Sequence, residues 1–496
     1  MKTRLLLKNG RVYDPANGIA GEQMDIFVAD GRIVDETRPE LIIDATDKTV
    51  MPGGIDVHSH VATYGMNLAR FTCKFPILNE IGYTYARMGY THVNEPLMTL
   101  NTASYVHHEL SGIPIVDTSA SLVLSLYDID REIREGATES VKNLLPFLLD
   151  LTKSIGVKIY DLRVKYRKSG FFYRGISLNK CLNFFAELIS TESGRTMPKI
   201  QLRTYPELLD ESADVLSAFW LAHIASGIDS DNRYEGAKEI LKKGGAVDLG
   251  IFCPSQQDDI PDTHMSIGYD VPDATDEKFI SMDIGLEQPL IISNLSAKNQ
   301  RDKKVYYSLK FALEAVEQLN TDSSCISFST DSPNGCLFYT YPRLFAGLLS
   351  KTNRKELTNA ALPEIEYSLY ELAKITRTNP ARLLGLKDKG HLGAGAVADI
   401  AIYDIGDYTE GRELERRLSR CSSLLKGGEM VIKGGDMINP AVCSNRTYYF
   451  EIDRTELEEA KEKQRELIER ICNRTSFRAE HLKVDDCFTQ PFVFAQ

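Results

Sequence analysis

The sequence predicts an α/β protein, a metal-dependent (β/α)8-type barrel with a small β-sandwich module built from both chain ends. Three patterns predict it. From His58 to about Gly385, apolar strand-like runs alternate with longer segments of helical period, which favours a parallel sheet of the closed kind that suits this length. Short strands separated by turn signals fill the first fifty residues, and the same β character returns after Gly395. Between module and barrel stands Met51-Pro-Gly-Gly-Ile-Asp-Val-His-Ser-His60, where a Pro-Gly-Gly break leads into a new strand that ends in two histidines. The organisation read from these patterns is 1–50 for the first part of the β module and 51–386 for the barrel. Residues 387–450 form the second part of the module and 451–496 a helical tail.

Taken in order, Arg4 to Lys8, Asp25 to Val28, Arg32 to Val34, Leu41 to Asp44 and Thr49 to Met51 read as strands. The Asp30-Gly31 pair between two of them is a hairpin signal. Alone this module is too short to close a core, so the late segment completes it. In the barrel the strand candidates are Thr91 to Glu95, Ile113 to Val116, Val157 to Tyr160, Ile200 to Leu202, Ala246 to Ile251, Leu290 to Ile292 and Cys325 to Phe328. Ser140 to Ser154, Leu178 to Ser190, Ser212 to Ile224 and Val305 to Leu319 carry helical period between them. Ser368 to Leu386 reads as a helix with a break at Pro380; Ala398 to Tyr403, Ser423 to Lys426 and Met430 to Lys433 are β again. In the tail, Thr455-Glu-Leu-Glu458 fits a capping box, and Leu457, Ala460, Leu467 and Ile471 share one face of a charged helix that either docks or stays solvated.

Composition narrows the function. Nine scattered cysteines with no Cys-x-x-Cys argue against a disulfide framework, a zinc ribbon and an iron–sulfur cluster. A formal charge of −12 without a basic stripe gives no support for nucleic acid, and neither a P-loop nor a well-placed Gly-x-Gly-x-x-Gly supports a nucleotide. No apolar run reaches the ~18 residues of a membrane helix and no secretory h-region opens the chain, so a cytoplasmic location is expected.

The chemistry-bearing residues begin with His58 and His60. Two residues apart on a strand, they face one side and can bring two imidazoles to one point, a metal-ligand geometry. Lys158 lies inside the apolar strand Gly156-Val-Lys-Ile159, where an unpaired ammonium is costly. It is either ion-paired or a lysine of lowered pKa that adds carbon dioxide and bridges metals as a carbamate. His223 follows an apolar run and is either a satisfied core histidine or a further imidazole ligand. Asp331, in Phe328-Ser-Thr-Asp-Ser-Pro-Asn-Gly335, is either a turn cap or a ligand that also takes a proton as general base. Asn334 is either part of an Asn-Gly turn or an amide offered to substrate.

The order His-x-His, Lys, His, Asp on a β/α chain, with a split β module around it, resembles the amidohydrolase superfamily. Four stretches resemble a narrower family, the A subunits of formylmethanofuran dehydrogenase and of the bacterial formyltransferase/hydrolase complex. They are Val50 to His60, Tyr85-Ala-Arg-Met-Gly-Tyr-Thr-His92, Ser329-Thr-Asp-Ser-Pro-Asn-Gly335 with Tyr341-Pro-Arg343, and Lys389-Gly-His-Leu-Gly-Ala-Gly395. The similarity runs in pieces from about residue 4 to about residue 440.

The resemblance implies a subunit of a C1-transfer complex that hydrolyses, or reversibly forms, the formyl amide of a methanofuran-type carrier to give formate. It implies one or two divalent ions, zinc foremost, at His58, His60, Lys158, His223 and Asp331, with Lys158 carbamylated. Its implied partners are the formyltransferase and other subunits of such a complex, archaeal or bacterial in type, with no nucleic acid and no membrane. The chain departs from the pattern where the family has a His-x-His strand after the lysine and this sequence reads Ile200-Gln-Leu-Arg203; the segment between His60 and Tyr85 is also shorter and the text after His223 contracted. That departure keeps a second class of reading open, a catalytically impaired scaffold of the same complex. A stand-alone cyclic amidase of the dihydropyrimidinase or dihydroorotase kind is the third.

Overall fold

The structure is a computed structural model. It describes residues 3–63, 66–67, 70, 76–124, 126, 129–159, 176–190, 199–252, 298–319, 321, 325–406, 410–440, 447–452, 454–475, 484 and 489–492. In chain order the strands are β1 (Leu5–Asp14), β2 (Ile19–Ala29), β3 (Arg32–Val34), β4 (Leu41–Asp44), β5 (Thr49–Pro52), β6 (Gly54–Asp56), β7 (Tyr90–Met98), β8 (Asp117–Val123), β9 (Gly156–Ile159) and β10 (Gln201–Arg203). They continue as β11 (Trp220–Ala222), β12 (Ala246–Asp248), β13 (Cys325–Ser327), β14 (Ile400–Tyr403), β15 (Ser423–Lys426), β16 (Glu429–Lys433), β17 (Asp436–Met437), β18 (Thr447–Phe450) and β19 (Thr489–Phe492).

One mixed sheet takes strands from both ends of the chain, in the order β17-β16-β15-β14-β5-β1-β2-β3, with β4 beside β1. The Asp30-Gly31 turn joins β2 to β3 with φ of 50° and 82° at its two residues, the mirror-image turn that matches strand twist. β14 runs antiparallel to β5 with Ile400 opposite Pro52, so the late strands complete what the early ones begin. Leu5, Val12, Val28, Val50, Ile400 and Leu425 share its apolar core.

The second sheet carries the eight parallel strands β6 to β13 in sequence order and curls. Gly53 and Gly54 are there for clearance: a Cβ on Gly54 would lie 2.7 Å from the Tyr90 ring, and one on Gly53 would meet Thr91. Between β13 and β6 the described residues form a seam rather than a ladder, joined by a single parallel bridge of Ser59 with Ser332. The helical segment Leu369 to Leu384 lies along it. Ile375 O accepts from Phe328 N–H at 2.8 Å and Asn379 Nδ2 donates to Ile326 O at 2.8 Å, satisfying backbone groups that a ladder would otherwise take.

Module and barrel are clasped by buried charges. Lys389 Nζ lies 2.7 Å from Asp117 Oδ2 on β8 and 2.6 Å from Asp399 Oδ2, and Lys426 Nζ reaches the same two carboxylates at 2.7 and 3.1 Å. Burial works against the Lys389 ammonium, but Asp117 and Asp399 outweigh it and raise its pKa well above the ordinary lysine value. Gly390 (φ 73°) lets the chain pass, since a Cβ would lie 2.6 Å from Arg377 O.

Several sequence expectations shift. Ile113 to Val116 is no strand: Ile115 adopts φ 71°, and β8 starts one residue later on the polar stretch Asp117 to Val123. Those polar groups tolerate burial because they are paired, Ser119 Oγ donating to Asn94 Oδ1 at 2.9 Å and Thr118 Oγ1 meeting Thr447 Oγ1 at 2.9 Å. Ser212 to Ile224 holds only a short helix, Ala213–Leu216, before the buried strand β11, because three residues are too few to show a period. The helix expected from Val305 begins at Lys298. Pro380 sits in the first turn of Asn379–Leu384, after a π-helical stretch. Leu290 to Ile292 and Tyr160 lie outside the described residues. β18 pairs in parallel with the first half of β8, Thr447 opposite Thr118, and β19 lies beside it. The tail helices Arg454–Lys463 and Arg465–Thr475 bury Ala460, Leu467 and Ile471 against the barrel's core, with Arg470 2.6 Å from Glu132. No described helix is long and apolar enough to cross a membrane.

Candidate metal centre

His58 and His60 follow β6, Lys158 lies in β9, Gln201 and Arg203 in β10, His223 follows β11, Asp248 ends β12 and Asp331 follows β13. All but Gln201, which opens β10, sit near or just past the C-terminal ends of parallel strands, the end at which this architecture assembles its sites. His58 Nε2 lies 3.2 Å and His60 Nε2 3.1 Å from Asp331 Oδ1. Lys158 Nζ is 3.4 Å from His58 Nε2, and the His58 and His223 ring centroids are 5.0 Å apart. His223 Nε2 lies 3.9 Å from Asp331 Oδ2. The five expected residues therefore converge.

Local backbone geometry sets these positions. Asp331 and His223 both occupy the left-handed region, at φ 49° and 40°, where side chains other than glycine are strained. His223 is held there by its own N–H donating to Asp248 Oδ1 at 2.7 Å and by Nδ1 against Ser226 Oγ at 2.6 Å. Gly250 (φ 62°) leaves the room, because a Cβ there would collide with that of His223. Asn334 donates from its backbone N–H to Asp331 O at 2.6 Å and from Nδ2 to Asp331 Oδ2 at 3.1 Å. Its amide thus bears on the aspartate.

Three carboxylates missing from the sequence reading surround the group. Glu95, on β7, meets His60 Nδ1 at 2.9 Å and accepts from the N–H groups of Val61, Ala62 and Leu97 at 2.7, 2.9 and 3.1 Å. Asp248 Oδ2 faces His58 Nδ1 at 3.4 Å while Oδ1 accepts from Ser329 Oγ. Asp56 accepts from His58 N–H at 3.0 Å and from Tyr85 and Tyr341 hydroxyls at 2.7 and 2.6 Å. The Tyr85 and Tyr341 stretches thus meet beneath the histidines. An acidic residue at the end of a barrel strand was the available signal for Asp248; Glu95, inside β7, offered none.

Burial lowers the Lys158 pKa to about 8 and that of His223 to about 3. Burial also works against a charged His60, but Glu95 and Asp331 outweigh it and raise its pKa to about 9. For Asp331 burial favours the acid, yet His223, His58 and His60 hold it well below the usual carboxylate range. One ligand atom each from His58, His60 and Asp331 lies within 4.8 Å of the others, a set that could hold a metal ion. Two imidazoles and a carboxylate with an open side suit a divalent catalytic ion. Gln201 fits less well: its Nε2 lies 3.2 Å from His58 Nδ1, the ring nitrogen away from Asp331, and its Oε1 is buried without a hydrogen-bond partner.

Comparison with known proteins agrees with this architecture. The Amidohydrolase family model matches residues 41–76 and 282–432. The chain is 29% identical to Protein FwdA of Methanocaldococcus jannaschii over 87% of its length and 88% of that protein's. It is 27% identical to the A subunit of the formyltransferase/hydrolase complex Fhc of Methylorubrum extorquens, covering 91% and 92% of the two chains. A chain of the crystal structure of the Methylorubrum extorquens FhcABCD complex with methylofuran superposes with a TM-score of 0.76, covering 99% of this chain and 100% of that one at 22% identity.

Proposed function

From the premise that the chain carries the amidohydrolase fold and resembles the A subunits named above, we propose that it is the hydrolytic subunit of a C1-transfer complex. It cleaves, or reversibly forms, the formyl amide of a methanofuran-type carrier, giving formate and the free amine. The observation that carries this reading is the convergence of His58, His60 and Asp331, in a chain related to the Fhc A subunit over nine-tenths of its length. His58, His60 and Asp331 hold a divalent ion, zinc foremost, with Lys158 and His223 on its flanks and Lys158 as amine or carbamate. Such an ion, when bound, lowers the pKa of water to ~7 and polarises a carbonyl.

The chain's own residues supply the rest. Asp331 is held in its ionised form and so is ready to accept the proton of the water that attacks the formyl carbon. It returns that proton to the amine nitrogen as the C–N bond breaks, and formate leaves. Asn334, donating to Asp331 Oδ2, keeps the carboxylate's other oxygen towards the histidines. Glu95 and Asp248 fix the two rings from behind. The formyltransferase and companion subunits of such a complex are the partners.

Formate release from the formylated carrier by the assembled complex tests the reading, with zinc content measured on the same sample. Turnover that disappears in Asp331→Asn while the complex still assembles supports it. Gln201 and Arg203 favour a second reading, a scaffold of the same complex; a metal-free chain that assembles with its partners and releases no formate establishes that instead.

A further inference from the structure

The replacement of an expected imidazole by Gln201 bears on how many ions the centre can hold. His58 offers two nitrogens that face different neighbours. Nε2 faces Asp331 Oδ1 at 3.2 Å and Lys158 Nζ at 3.4 Å, while Nδ1 faces Asp248 Oδ2 at 3.4 Å and the Gln201 amide at 3.2 Å. The ring is fully buried, so neither nitrogen can turn to water. When Nε2 is a ligand, Nδ1 carries the proton and directs it between Asp248 Oδ2, at 3.4 Å, and the nearer Gln201 amide. A Gln201 NH2 placed there would set donor against donor. Rotating the amide by half a turn delivers Oε1 to Nδ1–H and gives that buried oxygen a donor, with the NH2 taking the position Oε1 leaves.

In that arrangement the only side-chain oxygen Gln201 possesses is engaged behind His58, on the side away from Asp331. Register strengthens the point. Gln201 lies directly opposite Lys158 across the β9–β10 pair, and Arg203, two residues on, projects from the same face of β10. A second dication between Lys158 and β10 would meet a committed amide and a guanidinium where two imidazoles are expected.

We propose that this centre holds a single divalent ion, and that Gln201 is a positioning residue which orients His58 with Nε2 towards it. The inference rests on the metal-centre reading above and deepens it by fixing the stoichiometry.

The test is titration of the metal-stripped full chain with Zn(II) and, separately, with Co(II). Bound metal per chain is measured by elemental analysis and by the visible bands of cobalt, and folding is checked by circular dichroism. Saturation at one equivalent is expected. Gln201→Leu should still bind one equivalent but about 10- to 100-fold more weakly, as for loss of a group that orients a ligating histidine. Gln201→Glu, which keeps an acceptor at Nδ1, should restore affinity. Two equivalents in the wild type falling to one in Gln201→Leu would make Gln201 a ligand and overturn the inference, leaving the metal centre intact. One equivalent with affinity unchanged in folded Gln201→Leu overturns the positioning role. No binding by the wild type overturns both this inference and the metal centre beneath it.

Discussion

Substituting Glu95 by Gln tests whether the site depends on a carboxylate behind its ligands. Glu95 is fully buried and takes four donors: His60 Nδ1 at 2.9 Å, Val61 N–H at 2.7 Å, Ala62 N–H at 2.9 Å and Leu97 N–H at 3.1 Å. A glutamine has only one acceptor oxygen for these. If it serves His60, the amide NH2 is turned on Val61 and Ala62, leaving two backbone donors unsatisfied at about 1–3 kcal/mol each. Stability should therefore fall by about 2–6 kcal/mol, read from chemical denaturation of the chain. If the amide turns the other way, His60 loses its acceptor and its preference for presenting Nε2. Either way zinc affinity should drop about 10- to 100-fold, or about 1.4–2.7 kcal/mol, measured by competition with a chromophoric chelator. Unchanged zinc affinity in folded Glu95→Gln would show that His60 needs no partner at Nδ1, and the account of the centre would fail at that ring.

Asp331→Asn should lower formate release at least about 100-fold while co-purification with partner subunits is unchanged, since it removes the proton acceptor without changing side-chain volume. Lys158→Met should abolish any mass gain of one carbon dioxide seen by native mass spectrometry in bicarbonate, because its amine, with a pKa of about 8, is the nucleophile for that addition. Lys389→Met should cost about 3–5 kcal/mol by leaving Asp117 and Asp399 sharing one ammonium, measured as a loss in unfolding free energy. Burial opposes ionised Asp399, but Lys389 and Lys426 lower its folded pKa. Its contribution is present above the unfolded carboxylate value of ~3.9 and is lost as pH falls through the folded one. Lys389 has a raised folded pKa, so its contribution is full below ~10.4 and is lost as pH rises through the folded value. The acid limb of the melting temperature should become shallower in Asp399→Asn and the alkaline limb shallower in Lys389→Met.

Sequence reasoning reached residues whose local text carries their geometry. His58 and His60 are legible because the strand period alone puts them on one side, and Lys158 because a charge inside an apolar strand demands a reason. Glu95 and Asp248 are not legible in that way. Glu95 lies within β7 and Asp248 ends β12, and their text, Thr91-His-Val-Asn-Glu95 and Ala246-Val-Asp248, says nothing of the imidazoles that meet them only after the sheet curls. β8 was missed for the opposite reason: Asp117-Thr-Ser-Ala reads as surface, and only partners as distant as Lys389, Lys426 and Thr447 make its burial tolerable. The split β module could be foreseen because each half alone lacks a core, whereas the entry of β18 into the barrel sheet rests on a parallel pairing no turn signal announces.

The position of the site within the sheet couples its chemistry to its fold. His58 and His60 leave β6, the first strand of the curled sheet, and Asp331 leaves β13, the last. Those two strands share no ladder among the described residues; Ser59 bridges Ser332, and His60 N–H donates to Ser332 O at 2.7 Å. A cation bound by both imidazoles and the carboxylate therefore lies across the seam and fastens the two ends of the sheet. Because it binds only when those ends are together, its binding free energy adds to that of closing the sheet. Asp331 can hold its strained backbone at the seam for the same reason: the contacts that keep it there are those that close the sheet.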